Sequence, residues 1–305
     1  MLNILGKRYY FFALSLLIIV PGLVILLVKG MPLSIDFKGG TLLEVEFTSA
    51  PAPSTAVVKS VYDKTGIVDV QIQESGNNIL VLRSSVLSTE NQTAILNALK
   101  SESNSDVVIR KADTVGPSIG KGVAQRAVEA VVLAALAVVL YITFAFRGLP
   151  HAFRYGLCAI AAMAHDVLIV LALTGYGTIF FGWQVDSLYL TALLTVIGFS
   201  VQDKIVVFDR IRENSGIYRK LEFEKLANHS IVQTLQRSIN TQLMTSEFFL
   251  LALALFGGVT LREFAVILLV GLLSGTYSSI FIAAPLLVVW EKKEWRTWFH
   301  KRSTV

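Results

Sequence analysis

The sequence predicts a membrane α-helical bundle of six transmembrane helices, with an α+β ferredoxin-like (βαββαβ) domain between helices 1 and 2. Three observations carry this expectation. Of 305 residues, 54% are hydrophobic and 16% charged, and mean hydropathy is +0.63, whereas an ordinary soluble domain is about 25% charged. Six stretches approach the roughly 20 apolar residues that a bilayer crossing needs. The one long polar segment, residues 30–126, lies between the first two of them and alternates between strand and helix periodicity. The same composition excludes a disordered chain, collagen or a disulfide scaffold. The single cysteine, Cys158, leaves no intrachain disulfide and argues against a cysteine metal site.

Residues 1–29 hold the first span, Tyr10–Val28, entered after Lys7 and Arg8. The run is longer than a signal-peptide core and no A-x-A site follows, so it reads as a retained helix. In residues 30–126, Thr41–Phe47 alternates as a strand, and Ser54–Lys64 places Val57, Val58, Val61 and Tyr62 at helical spacing. Ile67–Gln73 and Ile79–Arg83 read as strands flanking a turn at Asn77–Asn78. Ser88–Lys100 reads as a helix capped by Ser88 or Thr89, with Ile95, Leu96 and Leu99 apolar, and Asp106–Ile109 is the fourth strand. The order βαββαβ is ferredoxin-like. Its nine Lys and Arg against ten Asp and Glu suit a domain without a polyanion partner.

Residues 127–290 hold the other spans: about Ala127–Phe146, Tyr155–Thr174, about Val185–Phe208, about Ile239–Gly257, and Phe264–Trp290, long enough to tilt. A basic tail, residues 291–305, follows. Lys7 and Arg8, then Arg147 and Arg154, then the cluster from Arg210 to Arg237, then Lys292 to Arg302 all fall on one side if both termini are cytoplasmic. The net charge of +5 is therefore mainly a topology signal, and no aromatic-interleaved basic motif points to nucleic acid.

Ionisable residues inside a span cost about 2.5–3.5 kcal/mol each on insertion scales and are functional candidates by default. Asp203 lies about two turns inside the fourth span, with Ser200 and Thr195 near it on the helical wheel. It reads either as a proton-accepting carboxylate or as half of a structural salt bridge with adjacent Lys204. Arg237, at the entrance of the fifth span, reads as its ion-pair partner or as a snorkelling interfacial arginine. His165 and Asp166, midway in the third span, offer a proton relay or simple helix–helix hydrogen bonding. Glu247 in the fifth span is an auxiliary carboxylate or a neutral buried acid. Gly271 and Gly275 form a G-x-x-x-G that Ser274 and Ser278 extend as a row of small residues; with Gly198 they are candidate packing positions. Phosphate loops, H-E-x-x-H, G-x-S-x-G and clustered metal ligands are absent. Neither an enzyme nor a bound cofactor or metal is expected; the bilayer is the expected surroundings.

Five short motifs resemble a known family. Asp36-Phe37-Lys38-Gly39-Gly40-Thr41 is similar to the D-F-x-G-G-T outside the first span of the bacterial SecD/SecF protein-export subunits. Val115-Gly116-Pro117-Ser118-Ile119-Gly120 resembles their V-G-P-x-x-G before the second. Asp203 to Asn214, Gln233 to Thr241 and Ser274 to Ser279 resemble the family's later hallmarks, in the right order. The resemblance implies a multi-pass protein of the bacterial cytoplasmic membrane, related to RND transporters and paired with SecD. It implies use of the proton-motive force to help the SecYEG channel export unfolded preproteins. The family's proton-coupling Asp and Arg fall on Asp203 and Arg237. The chain departs from the family pattern at Gln202 and Lys204, so Lys204 competes with Arg237 as partner of Asp203; Met244 and Glu247 also depart. A non-transporting scaffold subunit and a small-solute transporter are the rival readings.

Overall fold

The computed structural model describes residues 3–49, 51–67, 69–76, 78–145, 147, 152–242 and 248–296. These form two compact units. One comprises Met31–Ala130 and Gly177–Leu188; the other comprises Met1–Gly30, Val131–Tyr176 and Tyr189–Val305.

The first unit is built on a four-stranded antiparallel sheet. Its elements run α2 (Ile35–Lys38), β1 (Gly40–Phe47), α3 (Thr55–Lys64), β2 (Gln71–Glu74), β3 (Ile79–Ser84), α4 (Thr89–Ser103) and β4 (Val107–Val115). The strand order is β2-β3-β1-β4. Alternation in β1 and β3 puts Leu43, Val45, Phe47, Leu80 and Leu82 on one face, with Leu43 opposite Leu82 and Val45 opposite Leu80. Val58, Val61 and Tyr62 of α3 and Ile95 and Leu99 of α4 cover that face. Burial pushes the Tyr62 phenol well above its usual range. The Ser88 hydroxyl accepts the Asn91 N–H, so Ser88 is the cap of α4.

Two glycines are conformationally required at the start of β1. Gly39 and Gly40 have φ of +80° and +138°, and a Cβ on Gly40 would lie 2.4 Å from the Ser84 carbonyl oxygen. The segment just before them is tied down by partners far along the chain. Leu33 bridges Val185 in parallel, the Ser34 N–H donates to the Val185 carbonyl (2.9 Å), and Asp36 accepts the Ser187 N–H (2.9 Å). Val185, expected to open the fourth span, is therefore part of this unit.

Among the described residues five helical stretches are long and apolar enough to cross a membrane: Leu5–Lys29, Pro117–Ala145, Ala152–Phe181, Ser187–Ile217 and Leu261–Glu291. Helix α1 (Arg8–Lys29) forms most of the first; α5 (Pro117–Ala145), α6 (Ala152–Phe181) and α7 (Ser187–Ile217) form the next three. The expected fifth span falls on α8 (Phe223–Gln242) and the nine-residue α9 (Phe248–Phe256), while residues 243–247 lie outside the described residues. The last stretch is α10 (Val259–Ser278), a π-helical turn (Ser279–Ala283) and α11 (Ala284–Glu291). Pro285 removes the N–H that would bond the residue 281 carbonyl, which gives a physical reason for the widened turn just ahead of it.

Small residues set the helix contacts of the second unit. A Cβ on Gly22 would lie 2.6 Å from the Ala172 backbone, joining α1 to α6. On Gly271 it would lie 2.2 Å from Val196, and on Gly275 3.3 Å from the Ser200 Cα, joining α10 to α7. Gly198, grouped with these two from the sequence, has no atom within 4 Å of that position. At the helix ends, Arg8 pairs with Glu224 (2.9 Å) and Glu294, and Lys292 pairs with Glu222 (2.9 Å) and Glu224. Burial opposes the charge on Glu224, but Lys292 and Arg8 outweigh it and hold its carboxyl below the usual range. The same contact raises the Lys292 ammonium.

Candidate functional site

The centre of the helical unit holds two carboxylates in contrasting surroundings. Asp166 sits in the apolar middle of α6 and is 1% exposed; Lys204 of α7 is 0% exposed. Charges so deep persist only when paired and hydrogen-bonded, and both conditions are met. The Lys204 ammonium donates to Asp166 Oδ2 at 2.7 Å, and also to the Ser200 carbonyl (3.2 Å) and hydroxyl. The Ser278 hydroxyl donates to Oδ2 (2.7 Å), as does that of Ser200; Ser274 donates to Oδ1 (2.7 Å). Helical spacing creates this shell: Ser200 and Lys204 are one turn apart on α7, and Ser274 and Ser278 one turn apart on α10.

His165 completes the cluster. Its Nδ1 lies 3.1 Å from Asp166 Oδ1 and its Nε2 2.9 Å from the Ser15 hydroxyl of α1. An ionised carboxylate can only accept, so Nδ1 is assigned a proton that it donates to Asp166, while Nε2 shares a hydrogen bond with the Ser15 hydroxyl. Tyr277 stacks on the imidazole and donates to the Phe11 carbonyl at 3.0 Å. Four helices thus converge on one ion pair.

Asp203 follows one residue before Lys204, about 100° round the helix, and faces different elements. It is half-buried. Ser238 of α8 donates to its Oδ1 at 2.9 Å, and Ser279 of the π turn donates to its Oδ2. Arg237 is exposed on α8. Among the described residues no ion pair within 4 Å joins Arg237 and Asp203, and Lys204 is engaged by Asp166 instead. Glu247 lies outside the described residues. Among the described residues no group of three or more His, Cys, Asp or Glu is placed to hold a metal.

Of the residues singled out from the sequence, the fold brings His165, Asp166 and Lys204 together and places Asp203 on a separate side of α7. The hydroxyls were the part not foreseen. Ser274 and Ser278 were read only as small packing residues, and Ser15, Ser238 and Ser279 received no role. Their signal was available in part: Ser238 and Ser279 lie within two of the motifs that carried the resemblance.

The fold and this site define a class: a multi-pass helical membrane protein with a small α+β domain and charged side chains buried in its bundle. Comparison with known proteins sharpens this. Residues 95–293 match the family of the protein export membrane protein SecD/SecF, C-terminal, and residues 24–51 match the SecD/SecF GG motif. The chain belongs to the SecD/SecF family of protein export membrane proteins. It is 65% identical to protein translocase subunit SecF of Anaerolinea thermophila over 99% of this chain and 98% of that one. It is 42% identical to SecF of Thermobaculum terrenum over the same shares. The crystal structure of SecDF from Thermus thermophilus, a translocon-associated membrane protein, superposes with a TM-score of 0.84 at 33% identity, covering 95% of this chain and 39% of that one.

Proposed function

We propose that this chain works beside a SecD partner to complete SecYEG-dependent export of unfolded preproteins, using the proton-motive force. Asp203 is the carboxylate that gains and loses the proton. The observation that carries this reading is the environment of Asp203: half-buried midway along a membrane-length helix, held by two hydroxyls from other elements and, among the described residues, by no ion-paired cation. Hydroxyls both donate and accept, so they suit either protonation state. Asp166, locked to Lys204, is the static counterpart. Arg237, next in sequence to Ser238, is the cation that answers Asp203 when the bundle shifts. One charge crossing 100 mV supplies about 2.3 kcal/mol, enough to bias a two-state element.

The SecD partnership is supported by the Thermus thermophilus relative, a longer chain named SecDF of which this one covers 39%. In this reading the stretch 239–257 is a further crossing, making six. Both termini then lie in the cytoplasm, in the bacterial inner membrane, with the α+β domain outside. Protons are the coupling ion, and no cofactor takes part. Asp203→Asn tests the proposal in inverted membrane vesicles: proton-driven completion of export is lost while the subunit accumulates and inserts normally. Normal export from that variant refutes it. The rival scaffold reading, favoured by the helix-knitting Asp166 cluster, predicts instead that Asp203→Asn is silent and that bulky substitutions at Gly271 prevent assembly.

A further inference from the structure

We infer that Ser279 is the positioning residue that lets Asp203 exist in both protonation states, and that the exchanged proton resides on Asp203 Oδ2. This rests on the reading of Asp203 given above. The two hydroxyls on the carboxylate differ in what else they can do. Among the described residues the Ser238 hydroxyl reaches a single hydrogen-bond acceptor, Asp203 Oδ1. The Ser279 hydroxyl reaches two: Asp203 Oδ2 and, at 2.9 Å, the Thr276 carbonyl one turn earlier. Both serines are buried, at 2% and 0% exposure, so water does not readily substitute for either partner.

An ionised carboxylate accepts from both serines. A neutral carboxylic acid carries one O–H that must itself donate. If the proton arrives on Oδ1, it meets a Ser238 hydroxyl with nowhere else to turn its own hydrogen. If it arrives on Oδ2, Ser279 rotates: its hydrogen moves from Oδ2 to the Thr276 carbonyl, and its oxygen accepts the new acid proton. One proton is added and one hydrogen bond reverses direction. No hydrogen bond is lost, and Ser238 keeps donating to Oδ1 throughout. The π turn places this rotor at the break in the last span, a kind of irregularity that recurs at functional sites.

The charged groups around Asp203 do not duplicate this role. On its own helix the Lys204 ammonium is held by Asp166, and Arg237 on α8 is exposed. From the last span, the groups in hydrogen-bond contact are the Ser279 hydroxyl of the π turn and the Thr276 carbonyl of α10 that it reaches.

The test uses the full-length chain co-expressed with its SecD partner, in inverted vesicles, with proton-driven preprotein export measured from about pH 6 to 9. Ser279→Ala leaves the acid proton without an acceptor, and export falls about tenfold. Ser279→Thr keeps the hydroxyl and retains most activity. Ser279→Val, of the same shape as the threonine variant, loses it; this pair separates the hydroxyl from mere packing even if alanine folds poorly. Export unchanged in Ser279→Ala, or threonine and valine variants alike, overturns the inference. If Asp203→Asn is inactive while Ser279→Ala behaves as wild type, the proton reading survives and this inference alone fails. If Asp203→Asn is active, both fail.

Discussion

Replacing Lys204 by Met tests the ion pair at the centre of the bundle. Met keeps most of the side-chain volume, so the perturbation is the charge. At 2.7 Å and an effective dielectric of about 20, the gross attraction between the charges is about 6 kcal/mol. Several kcal/mol of desolvation per ion offset it, so the pair itself contributes little net stability. Removing one member is different. Asp166 is 1% exposed and would stay buried with its charge unanswered, a situation that costs about 3–5 kcal/mol. The three serine hydroxyls and His165 remain, which points to the lower end of that range. For a chain of this size each kcal/mol moves the melting temperature by roughly 2–4 °C, so Lys204→Met lowers it by roughly 10 °C. The double variant Asp166→Asn/Lys204→Met recovers much of the loss, since no charge is then stranded. The assay is thermal unfolding of the purified protein in detergent, followed by intrinsic fluorescence. A single variant as stable as wild type, or a double variant no better than the single, refutes the argument.

Two further outcomes follow from packing and charge. Gly271→Ala destabilises the bundle by about 1–3 kcal/mol, because its Cβ would meet Val196 at 2.2 Å, whereas Gly198→Ala is neutral or slightly stabilising, having open space; paired melting curves check the contrast. Glu224 is held below its unfolded value, so its contribution is present above the unfolded carboxylate range and is lost as pH falls through its lower folded value. Because it is partly exposed, the pH-dependent difference between wild type and Glu224→Gln is below about 1 kcal/mol, fully present at neutral pH and shrinking as acid protonates the folded carboxyl; a difference that grows on acidification contradicts this.

Much of the architecture was legible without coordinates because it rests on local patterns. Five of the six expected apolar runs fall on helices long and apolar enough to cross a membrane, and the period-two and helical alternations marked the sheet and its two helices. Boundaries were less legible. Helix α5 begins at Pro117, ten residues ahead of the apolar run, because polar residues continue a helix as readily as apolar ones. Strand β4 runs to Val115, well beyond the expected Ile109, because its pairing with β1, not its own alternation, holds it.

What the sequence determined by itself was which residues could not be left in lipid: Asp166, Lys204 and Asp203 stood out because an unpaired charge in hydrocarbon is costly wherever it lies. Which of them answer one another was decided only by the tertiary structure. Lys204 and Asp203 are neighbours along the chain, yet a step of 100° round α7 sends the lysine to α6 and the acid toward α8 and the π turn. The serines that complete each shell come from α1, α7, α8 and the final span. Pairing inside a bundle is a property of facing surfaces, and one helix's sequence holds no information about which partner its far side will meet.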